Sequence, residues 1–93
     1  MEIIFKKSFI KTLKASPVNV QESVRLIVEK LEKAKSLDEA EVDVRKIEGQ
    51  KKIESYYRIR TGDWRIGIEY RKPNIIFITI LHRGSIYKSF PPK

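Results

Sequence analysis

The chain contains no cysteine and only one histidine, His82. The first absence removes disulfide staples and thiolate metal sites, and the second leaves no imidazole cluster for a zinc or iron centre. Any chemistry is therefore expected to run with no metal and no cofactor. No run approaches the roughly 20 apolar residues of a membrane span. The opening MEIIFKKSFI is too short in apolar residues for a signal peptide and shows no cleavage-site pattern. A cytoplasmic location is the expectation. Repeats, low-complexity tracts and Gly/Ser linkers are also missing, and the four prolines, at 17, 73, 91 and 92, fall where elements start or stop. With 93 residues and 41% apolar composition, there is material for one thin core, so residues 1–93 are expected to form a single domain.

What is present is positive charge, unevenly placed. The net charge is +8. Residues 1–43 hold eight Lys/Arg and eight Asp/Glu, whereas residues 44–93 hold twelve against four. An excess confined to one half suggests a surface for a polyanion, since each cation that neutralises a phosphate releases counterions. A solubilising surface is the alternative that charge alone leaves open.

Residues 1–5 suit a first strand, and Phe9, Ile10 and Leu13 recur at helical spacing after it. Ser16 has the character of an N-cap, with Pro17 at the first helical position. Val20, Val24, Ile27, Val28 and Leu31 then form the apolar stripe of an amphipathic helix that should end near residues 35–37. After an acidic link at 38–43 the spacing changes to runs of β-branched and aromatic residues, which predicts a sheet. Residues 56–70 read YYRIRTGDWRIGIEY, two alternating segments joined by a three-residue loop, Thr61, Gly62 and Asp63. Pro73 and Asn74 form the next turn, and residues 75–81 are nearly all apolar, as in a strand covered on both faces. The fold class is α+β: an N-terminal strand, a two-helix hairpin and a small antiparallel β-sheet meander.

Strand alternation assigns the arginines. If Tyr57, Ile59, Trp64, Ile66 and Ile68 face the helices, then Arg58, Arg60 and Arg65 converge on the open face, with Gly67 leaving room for a backbone or base to approach. Guanidinium groups match phosphate oxygens with forked donors and can stabilise the charge of a phosphorane-like transition state. Solvated arginines paired with Glu54 or Glu69 are the plainer alternative. A second constellation, ILHRGSIYKSF at 80–90, places His82, Arg83 and Tyr87 within six residues. His82 is suited to proton transfer or RNA contact, Arg83 to a phosphate or leaving oxygen, and Tyr87 to base stacking or hydroxyl donation. Against these stand a strand-end histidine bonded to backbone and a tyrosine ring used for packing. Ser85 reads as a turn residue. Lys51 and Lys52 are a solvated pair within reach of a phosphate.

These segments, together with VRKIEG at 44–49, YRIRTGDWRI at 57–66 and HRGSIY at 82–87, resemble the RelE/ParE superfamily of type II toxins over essentially the whole chain. The resemblance implies a RelE-like fold and, on the RelE branch, a metal-independent endoribonuclease that cleaves mRNA in the ribosomal A site through attack of a ribose 2′-hydroxyl on the adjacent phosphate. It implies catalytic roles for Arg65, Arg83 and Tyr87, and RNA contact by Arg58 and Arg60. It also implies a cognate antitoxin as protein partner, beside mRNA and the ribosome. Some family members carry lysine in the first hairpin arm, which can lose a proton as arginine cannot. Either the base lies elsewhere, with Glu54, His82 and Tyr87 as the candidates within the motifs, or electrostatic stabilisation dominates. Two other readings stay open: a ParE-like inhibitor of DNA gyrase, and a noncatalytic nucleic-acid-binding domain.

Overall fold

The computed structural model describes residues 1–49 and 55–92. Lys51, Lys52 and Glu54 lie outside the described residues. In chain order the elements are β1 (Glu2–Phe5), α1 (Lys7–Lys14), α2 (Val18–Lys33), β2 (Asp43–Lys46), β3 (Tyr56–Thr61), β4 (Trp64–Arg71), β5 (Asn74–His82) and α3 (Ile86–Ser89). They build one five-stranded sheet in the order β1-β5-β4-β3-β2.

β2 to β5 form the expected antiparallel meander. The first strand departs from it: β1 lies parallel to β5, because the α1–α2 hairpin carries the chain across one face before the meander begins. That face is the main core. Ile59, Ile66, Ile68, Ile75, Phe77 and Ile80 are fully buried against Phe9, Val20, Val24 and Leu31 of the helices. Phe9 and Phe77 meet edge to face at 5.1 Å, and Phe5 closes the cluster at 5.3 Å from Phe77. Each such side chain contributes about 1.5–3 kcal/mol by leaving water.

Several local expectations are corrected. Ser16 does not cap α2; its hydroxyl donates back to the Leu13 carbonyl, at the end of α1. α2 stops at Lys33, earlier than its stripe suggests, and its last carbonyls accept hydrogen bonds from the Met1 ammonium at 2.9–3.2 Å. A cation there satisfies orphan acceptors and complements the helix dipole. The β3–β4 connection has two residues, since Thr61 pairs with Trp64. Gly62 adopts φ +58° in it, which suits glycine at the first turn position. The next turn uses Lys72 and Pro73, because Asn74 already pairs with Arg71.

A register shift between Gly67 and Ile68 gives β5 one extra residue, Ile78. Past Phe77, β5 has no further pairing with β1. α1 takes over that edge: Ser8 Oγ donates to the Ile78 carbonyl, and Thr12 Oγ1 accepts from the Ile80 N–H at 3.1 Å. These hydroxyls satisfy backbone groups that an uncovered strand edge would leave open. Replacing Thr12 by Val should therefore strand the Ile80 N–H and cost about 1–3 kcal/mol in urea unfolding. An unchanged midpoint would show that the hydroxyl contributes nothing at this edge.

Candidate nucleic-acid interface

The sheet's second face is built from the residues between the core isoleucines. Cross-strand pairing sets them in two rows: Asp43, Arg60, Arg65 and Leu81, then Arg45, Arg58, Gly67 and Thr79. Arg58, Arg60 and Arg65 thus share one face, as alternation predicts, but the face is not open. The C-terminal segment folds onto it through Ile86 and Phe90, which are buried with Ile78 and packed by Ile47, Tyr56, Ile76 and Leu81. Gly67 does not admit an approaching ligand. A Cβ at that position would stand 2.7 Å from the Phe90 ring, so the space is filled.

What remains accessible is a cleft of about 350 Å³ lined by Arg45, Lys46, Ile47, Glu48, Arg58 and Tyr87. Three cations face a single carboxylate there. The Arg58 side chain is only 15% exposed, and its Nη1 lies 3.9 Å from Asp43 Oδ1. That separation is too long for a hydrogen bond, and Nη1, itself buried, has no acceptor among the described residues. Tyr87 sits on α3 and is 57% exposed, which leaves its ring able to meet a planar group.

Arg60, Arg65 and Arg83 gather at the β3–β4 turn. Arg65 Nη1 donates to the Gly62 carbonyl at 2.8 Å and to the Trp64 carbonyl at 3.0 Å, which holds the guanidinium against the turn. Arg83 reaches the same turn: its N–H donates to the Asp63 carbonyl at 2.8 Å, and its Nε lies 3.8 Å from Asp63 Oδ1. Arg60 is exposed and is the cross-strand partner of Arg65. Arg83 and Tyr87, four residues apart, are therefore separated, Arg83 at the β3–β4 turn and Tyr87 at the cleft with Arg58.

His82 does not join them. It pairs with Trp64, whose ring packs against the helix-side core, and the two rings meet edge to face at 5.8 Å. Its Nδ1 accepts from the Gly84 N–H at 3.3 Å. Glu69 does not pair with these arginines, since it holds Arg71 at 2.6 Å, and Glu54 lies outside the described residues. Sequence reasoning missed Arg45, Lys46 and Glu48 as lining residues. The signal was present in the alternation of DVRK, which places Arg45 opposite Arg58 once β2 pairs with β3.

Comparison with known proteins finds similar chains. No family model matches the chain. A curated relative from Methanocaldococcus jannaschii, described as Toxin RelE3, is 43% identical over 91 residues, covering 98% of this chain and all of the relative. A crystal structure of a RelB-RelE antitoxin-toxin complex from Methanococcus jannaschii contains a chain of TM-score 0.78 and 42% identity, with 95% of this chain and 99% of that one covered. An archaeal RelE-RelB complex from Pyrococcus horikoshii gives TM-score 0.68 and 25% identity, covering 89% of this chain and 94% of that one.

If the cleft follows a single-stranded backbone, the logarithm of RNA affinity should fall with the logarithm of salt concentration by about 0.7 for each phosphate neutralised. Arg45→Gln and Arg58→Gln should each reduce that slope by about one such step, whereas His82→Ala leaves it unchanged. Equal slopes for all three variants would show that the RNA lies elsewhere.

Proposed function

The chain belongs to the RelE family of toxins from type II toxin-antitoxin systems, and on that footing we propose that it is a cytoplasmic endoribonuclease, a single domain of residues 1–93 that cleaves mRNA in the ribosomal A site. The observation that carries this reading is the buried Arg58 Nη1, without an acceptor among the described residues, in a cleft shared with Arg45, Lys46 and Tyr87. A buried guanidinium nitrogen left unsatisfied costs stability. A phosphate oxygen in the cleft would supply the missing acceptor, and two further cations would share its charge.

The bond changes of the proposed reaction balance within the RNA. The ribose O2′ forms a bond to the adjacent phosphorus, the bond from phosphorus to O5′ breaks, and the products are a 2′,3′-cyclic phosphate and a 5′-hydroxyl. One proton leaves O2′ and one arrives at O5′. Arg58, Arg45 and Lys46 would hold the phosphate and offset the growing negative charge. Arg65 and Arg83, fixed to the turn, would hold the RNA further along the basic face and add to the stabilising field. Tyr87 would stack on a base and present a hydroxyl for proton transfer, with Glu48 as the carboxylate in the same cleft.

The solved relatives are held in complexes with RelB antitoxins. We carry the same kind of partner to this chain: a cognate antitoxin that covers the basic face and keeps mRNA from it.

Induction without antitoxin in a bacterial host, followed by mapping of mRNA 5′ ends, tests the reading. Wild type should give cuts in phase with the ribosome; Arg58→Ala should reduce them by about 10²-fold or more, the loss expected when a transition-state donor is removed, and Arg65→Ala by less. Tyr87→Phe, which keeps the ring, should lose less than Tyr87→Ala if stacking dominates. Growth arrest with intact mRNA and DNA-damage signalling would assign the chain to gyrase inhibition instead, and salt-sensitive binding without arrest would leave a plain nucleic-acid binder.

A further inference from the structure

α3 is a single turn, Ile86–Ser89. One turn has no stability of its own, so its position is set by what anchors it. Two residues do this: Ile86, fully buried, and Phe90, 2% exposed. The Phe90 N–H donates to the Ile86 carbonyl at 2.9 Å, which closes the turn between them. Tyr87, exposed, follows the first anchor directly.

The second anchor has a specific seat. Gly67 has no positive φ, so backbone freedom does not explain a glycine in the middle of β4. The reason is space. A Cβ at Gly67 would stand 2.7–2.8 Å from three atoms of the Phe90 ring, nearer than side-chain carbons approach one another. Tyr56 closes the ring's flank edge to face at 5.6 Å. Phe90 therefore occupies a notch with little freedom to shift. Gly67 is also the cross-strand partner of Arg58, which places the seated ring beside the buried arginine.

We propose that Gly67 and Phe90 are positioning residues: the notch and its ring fix α3 on the basic face and thereby hold Tyr87 over the cleft that contains Arg58. The proposal rests on the endoribonuclease reading for its catalytic consequence. Neither residue touches RNA; both act through Tyr87.

The test is Gly67→Ala, measured with translating ribosomes as steady-state kcat and KM, beside the fluorine resonance of 3-fluorotyrosine at position 87, assigned by its loss in Tyr87→Phe. A displacement of about 1 Å at a reacting group can cost ~10²-fold. Gly67→Ala should lower kcat by about that factor with KM held, and should move the Tyr87 resonance. Phe90→Leu, which vacates part of the notch, should restore much of both losses when combined with Gly67→Ala. In a Tyr87→Ala background, Gly67→Ala should cost nothing further. Equal losses with and without Tyr87, or an unmoved fluorine resonance, would overturn the proposal. Should wild type fail to cleave at all, the endoribonuclease reading falls, and the fluorine resonance alone decides whether the notch holds Tyr87.

Discussion

Side chains along a strand alternate between faces, and in β3 and β4 that alternation leaves the chain little choice. Ile59, Ile66 and Ile68 are fully buried on the helix side, so Arg58, Arg60 and Arg65 must lie on the other. A slip of one residue in register would drive guanidinium groups into the core, where each unpaired ion costs several kcal/mol. The core and the basic face are therefore two consequences of one register. The two-residue turn at Gly62 fixes that register at one end of the hairpin, and burial enforces it along the rest.

The irregularity in β5 matters as much as the regular pairing. Inserting Ile78 lets Phe77 and Ile80 both face the helices while Ile78 turns to the basic side. An apolar residue on a cationic face gives the C-terminal segment something to pack on, and Ile86 and Phe90 use it. The same irregularity falls where β1 stops pairing, and α1 hydroxyls take up the backbone groups it leaves. One extra residue thus couples the helix hairpin on one side of the sheet to the short α3 on the other. The site inherits its shape from that coupling, since Tyr87 stands on α3 and Arg58 on the sheet beneath.

Much of this could be read from the sequence because it is local or periodic. The helical stripe from Val20 to Leu31, the hairpin from Tyr56 to Tyr70 and the shared face of three arginines all follow from spacing. Ser16 misled because a serine before Pro-Val has the composition of a cap while its hydroxyl had a nearer acceptor in Leu13. The parallel placement of β1 and the seating of Phe90 on Gly67 join residues far apart in sequence, and no spacing rule reports them. His82 shows the limit for the site itself. Its nearness to Arg83 and Tyr87 in sequence suggested a cluster, but the strand end directs it to Trp64, and the three residues go three ways.

Stability alone does not account for the second row of the sheet. Arg45 stands directly opposite Arg58, an arrangement of like charges that disfavours strand pairing. Asp43 is opposite Arg60 and meets Arg58 only at 3.9 Å. A threonine pair, or an acid in place of Arg45, would pair better at no cost to the core, because these side chains lie on the face away from the helices. Where local preference and the folded arrangement disagree in this way, the disagreement tends to mark a functional surface. Here it falls on the two arginines that line the cleft with Tyr87, while the apolar face opposite supplies the stability that lets them remain.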